Sequence, residues 1–334
     1  MEIAIDIGTS NTSIFASGNG VVLREPTRIA YNVAAKPNRV LACGLEAASM
    51  IGKTSENTAI VAPVLDGVIV DPTAATAMLS YFLKKVIPDD TYIPVRVKAI
   101  LAIPTGLKSA QRRMYEDVAF NASRRIKQVV LIESVVLSAV GIGLPIQNAA
   151  GGIVANIGGG ACEIAAISLS HIIAGCGLSL GGELMDKAIV DTVAAQHNVK
   201  LGFSLAKRVK EQVASLYSND LSFKPVSGMD INTKSLTSVT IRASELYSIL
   251  HPYYMRLGDA TDSIINMCPP DAAAEFNKKG VYIVGGAAKI GGLAEALSKR
   301  IGTRVIVPED PEYATIMGAG RLLSDKELLK QITN

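Results

Sequence analysis

Two short stretches of the chain join an apolar strand to a polar side chain and a glycine-rich turn, a combination that can bind phosphate. The first runs from Ile3 to Ala16, and the second, about 150 residues later, runs from Ile153 to Ile167. Glycine lets backbone N–H groups approach phosphate oxygens, and hydroxyl side chains can donate to the same oxygens. Two such hairpins that face each other across a cleft would hold the phosphates of a nucleotide from both sides.

In the first hairpin the acidic side chain precedes the turn and the hydroxyl side chains follow it. We expect Asp6 to hold magnesium through its water shell, since this ion keeps several waters when a carboxylate binds it. Taken alone, the stretch is more typical of an ordinary tight hairpin, because glycine-rich turns are common. The other phosphate-binding candidates here are Gly8, Thr9, Ser10 and Asn11.

The second hairpin gives the stronger signal, because three glycines follow its apolar strand without interruption. Consecutive glycines cost conformational entropy on folding, and no packing benefit is evident from the sequence. A backbone cradle for phosphate explains them better than a plain loop does. These candidates are Gly158, Gly159 and Gly160.

Two further groups are candidates for contact with the nucleoside. Lys210 and Glu211 lie on a predicted helix and are interpreted as contacts to ribose and base, although a solvated helix face is the commoner meaning of such a pair. A glycine pair ends another apolar strand before a helix. It would let a purine lie against bare backbone, or it simply connects strand to helix. Its residues are Gly285, Gly286 and Ala287.

The elements that must position these residues alternate between strands and helices, which predicts parallel sheets covered on both faces. Besides the hairpins, the predicted strands are Val97–Ile103, Gln128–Ile132, Val281–Val284 and Arg304–Val307. The sequence Asp71-Pro72-Thr73 starts a predicted helix, with Pro just inside the start, and apolar residues at helical spacing continue it over Ala74–Val86. The other predicted helices are Ser109–Ser123, Glu133–Gly141, Glu183–Gln196, Phe203–Leu216, Ser244–Met267 and Leu293–Ile301.

The two halves share an order of hairpin, insert, helix and strand. We therefore expect an α/β fold with two similar domains around a nucleotide cleft, each carrying a small inserted subdomain. Domain I is predicted to span residues 1–142, with its insert at about 32–63, and to be completed by a C-terminal helix at 313–334. Domain II is predicted at 143–312, with its insert at about 183–242.

Composition narrows the class of protein. Of the 334 residues, 49% are hydrophobic and 19% charged, which fits a well-buried α/β protein. The formal net charge of +3 is too small to argue for nucleic acid as a partner. No two of the four cysteines form a CxxC pair, so neither a zinc site nor a disulfide framework is indicated. With no signal peptide and no run of about 18 apolar residues, we expect a cytoplasmic protein.

Taken together, these motifs resemble the MreB family of bacterial actins over essentially the whole chain. That family has an actin-like ATPase fold, so the resemblance implies ATP and magnesium in the central cleft, with Gly182 among the nucleotide contacts. It also implies self-association into paired protofilaments at the inner face of the cell membrane, where they guide cell-wall synthesis and set cell shape. The matching runs are Asp6–Thr12, Leu131–Glu133, Gly141–Pro145, Ile157–Gly160 with Glu163, Gly181–Gly182 with Asp186, Ala206–Glu211, Pro308–Pro311 and Gly318–Arg321.

Departures from the family pattern fall at the positions that it uses for hydrolysis. Asn156 replaces an Asp that helps to hold the metal's water shell, and Ala161 replaces a Thr. Ser134 stands where the family has the second of two Glu residues, which is expected to position the attacking water. Serine is a poor base near neutral pH. Glu133 is the remaining carboxylate candidate, and we expect nucleotide binding with slow or absent hydrolysis.

Membrane attachment is predicted only from one loop, Val86–Pro94. Its Ile87, Tyr92 and Ile93 are of a type that inserts among lipid headgroups. Lys84 and Lys85 favour contact with anionic lipid, whereas Asp89 and Asp90 oppose it. A plain surface loop explains the stretch equally well, and membrane-anchored adaptor proteins are an alternative means of attachment.

Three functions compete at this point. A cytoskeletal filament is favoured by the full-length resemblance. A sugar or acid kinase of the same superfamily would need a catalytic base facing a substrate pocket, and the sequence offers none. A non-polymerising adaptor or scaffold is favoured slightly by the missing carboxylates. Fold alone does not decide among them.

Overall fold

The computed structural model describes residues 1–87 and 95–333. The first half of the chain begins with a three-stranded meander and ends with a short helix. In chain order its elements are β1 (Glu2–Ile7), β2 (Asn11–Ala16), β3 (Gly20–Pro26), β4 (Ile29–Asn32), β5 (Arg39–Cys43), α1 (Leu45–Ser49), β6 (Thr58–Val61), β7 (Val64–Leu65), β8 (Val68–Ile69), α2 (Pro72–Val86), β9 (Val97–Ile103), α3 (Ser109–Ala122), β10 (Ile126–Glu133) and α4 (Ser134–Gly141).

The second half begins with an equivalent meander. In chain order its elements are β11 (Gly152–Ile157), β12 (Cys162–Ser168), β13 (His171–Leu178), α5 (Gly182–His197), β14 (Val199–Lys200), α6 (Phe203–Val213), β15 (Phe223–Asp230), β16 (Leu236–Arg242), α7 (Ala243–Met267), α8 (Pro270–Lys279), β17 (Val281–Val284), α9 (Leu293–Ile301), β18 (Val305–Ile306), α10 (Ala314–Ser324) and α11 (Lys326–Thr333).

Two five-stranded sheets repeat one strand arrangement. Their strand orders are β10-β9-β1-β2-β3 and β13-β12-β11-β17-β18, so the meander β1–β2–β3 corresponds to β11–β12–β13. The meander strands pair antiparallel, whereas β9 pairs parallel with β1 and β17 pairs parallel with β11. Parallel pairing, predicted from the alternation of strands and helices, is present at β9 and β17, and the two predicted hairpins are antiparallel, because a tight turn can join only antiparallel neighbours.

Each half also carries a smaller antiparallel sheet. In the first half, β4 lies between β5 and β6, beside the short helix α1. In the second half, β15 lies between β14 and β16. The second of these sheets lies within its predicted insert, whereas the first begins with β4 just before the predicted insert at about 32–63. The strand β7 pairs with β8 in a separate two-stranded hairpin.

Local sequence explains where helices begin. At α2 the Asp71 side chain accepts a hydrogen bond of 2.9 Å from the Ala74 N–H, and Pro72 occupies the first helical position, where its missing N–H costs nothing. The apolar side chains of α2 recur at helical spacing and are buried against the first sheet; they are Met78, Leu79, Phe82 and Leu83.

Helices α4 and α10 cross in direct backbone contact between the two sheets. A Cβ atom built on Gly141 would lie 1.9 Å from the Ala314 carbonyl oxygen, and one on Gly318 would lie 1.8 Å from that of Leu137. Only glycine fits at these two positions. One apolar cluster therefore joins α4 and α10 to strands of both sheets, including Ala4 of β1 and Val154 of β11.

The C-terminal helix predicted at 313–334 is two helices. Asp325 separates α10 from α11, and its side chain accepts a hydrogen bond of 3.0 Å from the Leu328 N–H. A second helix cap within an apolar periodic stretch is easily missed, because the periodicity continues across it. Among the described residues, the helix α8 and the strand β13 were also not predicted.

Candidate functional site

The two phosphate-type hairpins have the same backbone turn. The Gly8 N–H donates to the Asn11 carbonyl at 3.0 Å, and the Gly158 N–H donates to the Ala161 carbonyl at 2.8 Å. In register, Asp6 lies opposite Ser13 on the neighbouring strand, as Asn156 lies opposite Glu163. Asp6 and Asn156 are thus equivalent positions of the two halves, one charged and one neutral.

The turns of these hairpins, residues 8–11 and 158–161, are called the first and second loops, and they touch each other. A Cβ atom on Gly159 would lie 2.1 Å from the Ser10 Oγ, and one on Gly160 would lie 2.4 Å from the Thr9 Oγ1. Gly159 and Gly160 are therefore required by the close approach of the first loop. The sequence suggested a phosphate cradle as their reason, and the approach of the opposite loop adds a packing reason.

The hairpin β7–β8 reaches between the two loops. The Gly67 N–H donates to the Thr9 Oγ1 at 2.9 Å, and the Tyr115 hydroxyl donates to the Gly67 carbonyl at 3.0 Å. The backbone of Asp66 lies beside Gly160. Because Thr9 accepts from Gly67, its own hydroxyl proton remains free to bond to a phosphate oxygen.

Two carboxyl groups interact across the base of the loops. The pKa of Asp6 is raised to about 7, first by burial and then by the negative charge of Glu163, against the opposing charge of Arg24. Burial likewise raises the pKa of Glu163. Such a site favours a cation, because a bound cation would relieve both the desolvation and the repulsion.

Glu163 is a residue of the site that the sequence did not identify as a candidate. Its side chain is only 7% exposed, and its carboxylate accepts hydrogen bonds from the Thr105 N–H and from the Ser134 hydroxyl. Thr105 follows β9 and Ser134 opens α4, so one carboxylate of the second sheet joins two elements of the first half. Glu163 stood in the matching motif, but its burial was not visible there.

The three residues expected at catalytic positions, Ser134, Glu133 and Asn156, have different hydrogen-bond partners. Ser134 donates to Glu163, whereas Glu133 forms an ion pair of 2.7 Å with Arg112 on α3. The Asn156 Nδ2 donates at 3.3 Å to the Thr315 Oγ1, which also lies 2.9 Å from the Ser138 Oγ. Asn156 is therefore tied to the crossing of α4 and α10.

The candidates at the nucleoside end form a compact group on α5 and α6. Lys210 Nζ lies 2.7 Å from Asp186 Oδ1 and donates to the Gly182 carbonyl, also at 2.7 Å. The Gly182 N–H donates to the Gly158 carbonyl at 3.0 Å, which fixes the start of α5 against the second loop. Glu211 is exposed and points to a different side of α6, as expected for adjacent helical positions.

The glycine pair after β17 packs against the second hairpin. Gly285 has φ of +91°, and a Cβ atom there would lie 2.3 Å from the Ile157 carbonyl oxygen. A Cβ atom on Gly286 would meet no atom within 4 Å, so space is open beside it. The Ala287 carbonyl accepts from the buried Tyr254 hydroxyl at 2.8 Å. The structure thus brings this turn close to Asn156.

The described residues bear on two further predictions, contact with a membrane and binding of a metal ion. Of the predicted membrane loop, Ile87 is buried at 3% exposure, so its insertion into lipid is contradicted, while Tyr92 and Ile93 lie outside the described residues. No helix within residues 1–87 and 95–333 is long and apolar enough to cross a bilayer. In the same ranges, no three or more His, Cys, Asp or Glu side chains form a group suited to a metal ion.

Comparison with known proteins agrees with this geometry over the full length. A family model described as MreB/Mbl protein matches residues 1–331. The cell shape-determining protein MreB of Escherichia coli (strain K12) is 31% identical over 325 residues, which cover 96% of this chain and 93% of that protein. The cell shape-determining protein Mbl of Bacillus subtilis (strain 168) is 29% identical over 330 residues, which cover 98% of this chain and 97% of that protein.

Solved structures give the same result for the fold. The crystal structure of MreB5 of Spiroplasma citri bound to ADP superimposes with a TM-score of 0.90 at 26% identity, covering 98% of each chain. A MamK double helical filament gives a TM-score of 0.80 at 17% identity, covering 97% of this chain and 99% of that chain, and supports the fold alone. The fold is that of an actin-like ATPase.

Proposed function

Because this chain belongs to the MreB/Mbl family, we propose that it is a cytoskeletal protein that binds ATP between its two loops, assembles into filaments and acts in cell shape. The observation that carries this proposal is the pair of loops with one backbone geometry, facing each other at the edges of two equivalent sheets. The MreB5 structures bound to ADP and to AMPPNP support nucleotide binding in the same fold.

The phosphates would be held by backbone N–H groups of both loops and by the Thr9 hydroxyl. Magnesium fits the acidic base of these loops, because it needs only one or two carboxylates when waters and phosphate oxygens complete its shell. Asp6 would hold it through water, and the ion would neutralise phosphate charge. At the nucleoside end, Gly182, Lys210 and the turn Gly285–Ala287 would border ribose and base.

Hydrolysis is proposed to be slow. Ser134 cannot orient a water as a carboxylate does, and its hydroxyl is already a donor to Glu163. Asn156 carries no charge to draw a metal's water shell, and its amide is engaged by Thr315. Glu133 bonds to Arg112 instead. The groups that remain in the two loops are suited to binding the nucleotide rather than to hydrolysing it.

The wider cellular role is carried over from the family as a proposal. Filaments would lie at the inner face of the cell membrane, peripheral to it, and would meet cell-wall synthesis proteins directly or through membrane-anchored adaptors. The division into domain I at 1–142 with the C-terminal helices and domain II at 143–312 is proposed on the same basis. It agrees with the two repeated sheets.

High-speed sedimentation of the purified protein tests this function. We expect pelleting with magnesium-ATP that exceeds pelleting with magnesium-ADP and with no nucleotide. A Gly159→Ala variant should lose the nucleotide-dependent part, because its methyl group meets Ser10. Gly202→Ala is the matched control, since a Cβ atom there meets no atom within 4 Å. No pelleting under any condition, with vesicles of anionic lipid also present, would favour a non-polymerising adaptor.

A further inference from the structure

One ion pair bridges the two halves of the molecule at the loops. The Arg28 Nη2 lies 2.9 Å from the Glu183 Oε1, and both side chains are mostly buried, with 18% and 22% of their surface exposed. Arg28 lies between β3 and β4, at the junction of the first sheet with its small sheet. Glu183 lies in the first turn of α5, which packs in the core of the second half.

Glu183 forms hydrogen bonds with residues of both loops. Its backbone N–H donates to the Gly159 carbonyl of the second loop at 2.7 Å. Its carboxylate accepts a hydrogen bond of 3.0 Å from the Ser10 hydroxyl of the first loop, at the same oxygen that meets Arg28. For the two loops to separate, the Glu183 carboxylate must therefore lose its hydrogen bonds from both the Arg28 guanidinium and the Ser10 hydroxyl.

Arg28 is held so that it cannot follow Glu183 when the halves part. Its Nη1 donates to the Thr9 carbonyl at 3.0 Å and to the Thr27 carbonyl at 2.8 Å. Its backbone carbonyl accepts from the Gly44 N–H at 2.9 Å. The guanidinium is thus anchored in the first half by several contacts, and its bond to Glu183 is the contact that crosses to the second half.

We propose that Arg28, Ser10 and Glu183 form a clasp across the cleft and that opening of this clasp limits the rate of nucleotide exchange. This inference rests on the proposed binding of a nucleotide between the two loops, and it adds a regulatory element to that site. Charge-assisted hydrogen bonds in a partly buried setting are stronger than neutral ones, so the clasp slows both entry and release. A clasp lowers both rates while it leaves their ratio, and hence the affinity, nearly unchanged.

The first test is stopped-flow kinetics with a fluorescent ATP analogue and excess unlabelled ATP. We expect Arg28→Gln and Glu183→Gln each to raise association and release rates about tenfold, the change expected when one charged hydrogen bond is lost. The double variant should be no faster than the faster single variant, because both changes open one clasp. Lys85→Gln is the control, since the Lys85–Glu25 pair of 2.6 Å lies within the first half.

A second measurement needs no nucleotide and separates this inference from the proposed function. Amide hydrogen exchange of the nucleotide-free protein should increase in Arg28→Gln across peptides covering both loops, and should not increase in Lys85→Gln. If the wild type binds no nucleotide, this measurement still tests the clasp. Unchanged exchange, or an Arg28→Gln variant that weakens ATP binding without faster release, would overturn it and make Arg28 a phosphate ligand instead.

Discussion

The Ser134 hydroxyl donates a hydrogen bond to the buried carboxylate of Glu163, which lies on the strand opposite Asn156. Ser134 and Asn156 are two of the positions at which the chain departs from its family's pattern. The Glu163 carboxylate also accepts from the Thr105 N–H. The Ser138 hydroxyl donates to the Ser134 carbonyl and meets the Thr315 hydroxyl, which accepts from Asn156, so Ser134 and Asn156 are parts of one hydrogen-bonded arrangement.

Restoring both carboxylates should restore hydrolysis. We predict that Ser134→Glu combined with Asn156→Asp raises the rate of phosphate release by at least about tenfold, because a carboxylate can then orient water and another can hold the metal's water shell. Ser134→Gln with Asn156→Asp is the matched control, since glutamine has the shape without the charge. Equal rates in the two double variants, in a phosphate-release assay with magnesium-ATP, would contradict this explanation.

The Thr315 hydroxyl should contribute to stability, because it meets both Asn156 and Ser138 in a region that excludes water. We predict that Thr315→Val lowers the free energy of unfolding by about 1–3 kcal/mol, the cost of leaving buried partners unsatisfied. Thr315→Ser keeps the hydroxyl, so its free energy of unfolding should fall by less. Urea unfolding followed by circular dichroism measures both variants, and a valine variant as stable as the wild type would contradict the prediction.

Titration of the Glu163 carboxyl should lower the free energy of unfolding as the pH rises. Burial raises the pKa of its carboxyl in the folded protein above the ordinary value of 4.5, so the folded state holds a proton that the unfolded state has lost. The resulting stabilisation is present below pH 4.5 and is lost as pH rises through the folded pKa. Glu163→Gln cannot lose that proton, so its stability relative to the wild type should increase as the pH rises above 4.5 and through the folded-state pKa of Glu163.

Urea unfolding of both proteins at several pH values measures this difference. The same comparison made in an Asp6→Asn background removes the titration of Asp6, whose pKa the Glu163 charge raises. Glutamine keeps the acceptor for the Thr105 N–H, so the variant should fold. A difference in stability that stays constant with pH would mean that the Glu163 carboxyl has the same pKa in both states.

The crossing of α4 and α10 should tolerate no side chain at Gly318. A methyl group there would lie 1.8 Å from the Leu137 carbonyl oxygen, which belongs to rigid backbone. We predict that Gly318→Ala lowers the free energy of unfolding by about 1–3 kcal/mol or more, as overpacking does. Gly202→Ala again serves as the control in urea unfolding. Equal stability of the two variants would show that the helices can separate at little cost.

The sequence determined the local elements, because their signals are local. Asp71 followed by Pro72 specified the start of α2, and an apolar run ended by Pro104 specified the strand Val97–Ile103 at its observed bounds. The repeated glycine-rich turns indicated two equivalent hairpins, and the ordered motifs indicated the family. Each of these inferences depends on residues close together in the chain.

The tertiary structure alone decided which distant side chains meet. Glu163 bonds to Thr105 and Ser134, and Arg28 meets Glu183 from 155 residues away. Gly159 and Gly160 of the second loop accommodate the first loop. No local pattern encodes such contacts, because they arise when two sheets are brought together by α4 and α10. The chemistry of the cleft is therefore set by packing between segments that the sequence keeps far apart.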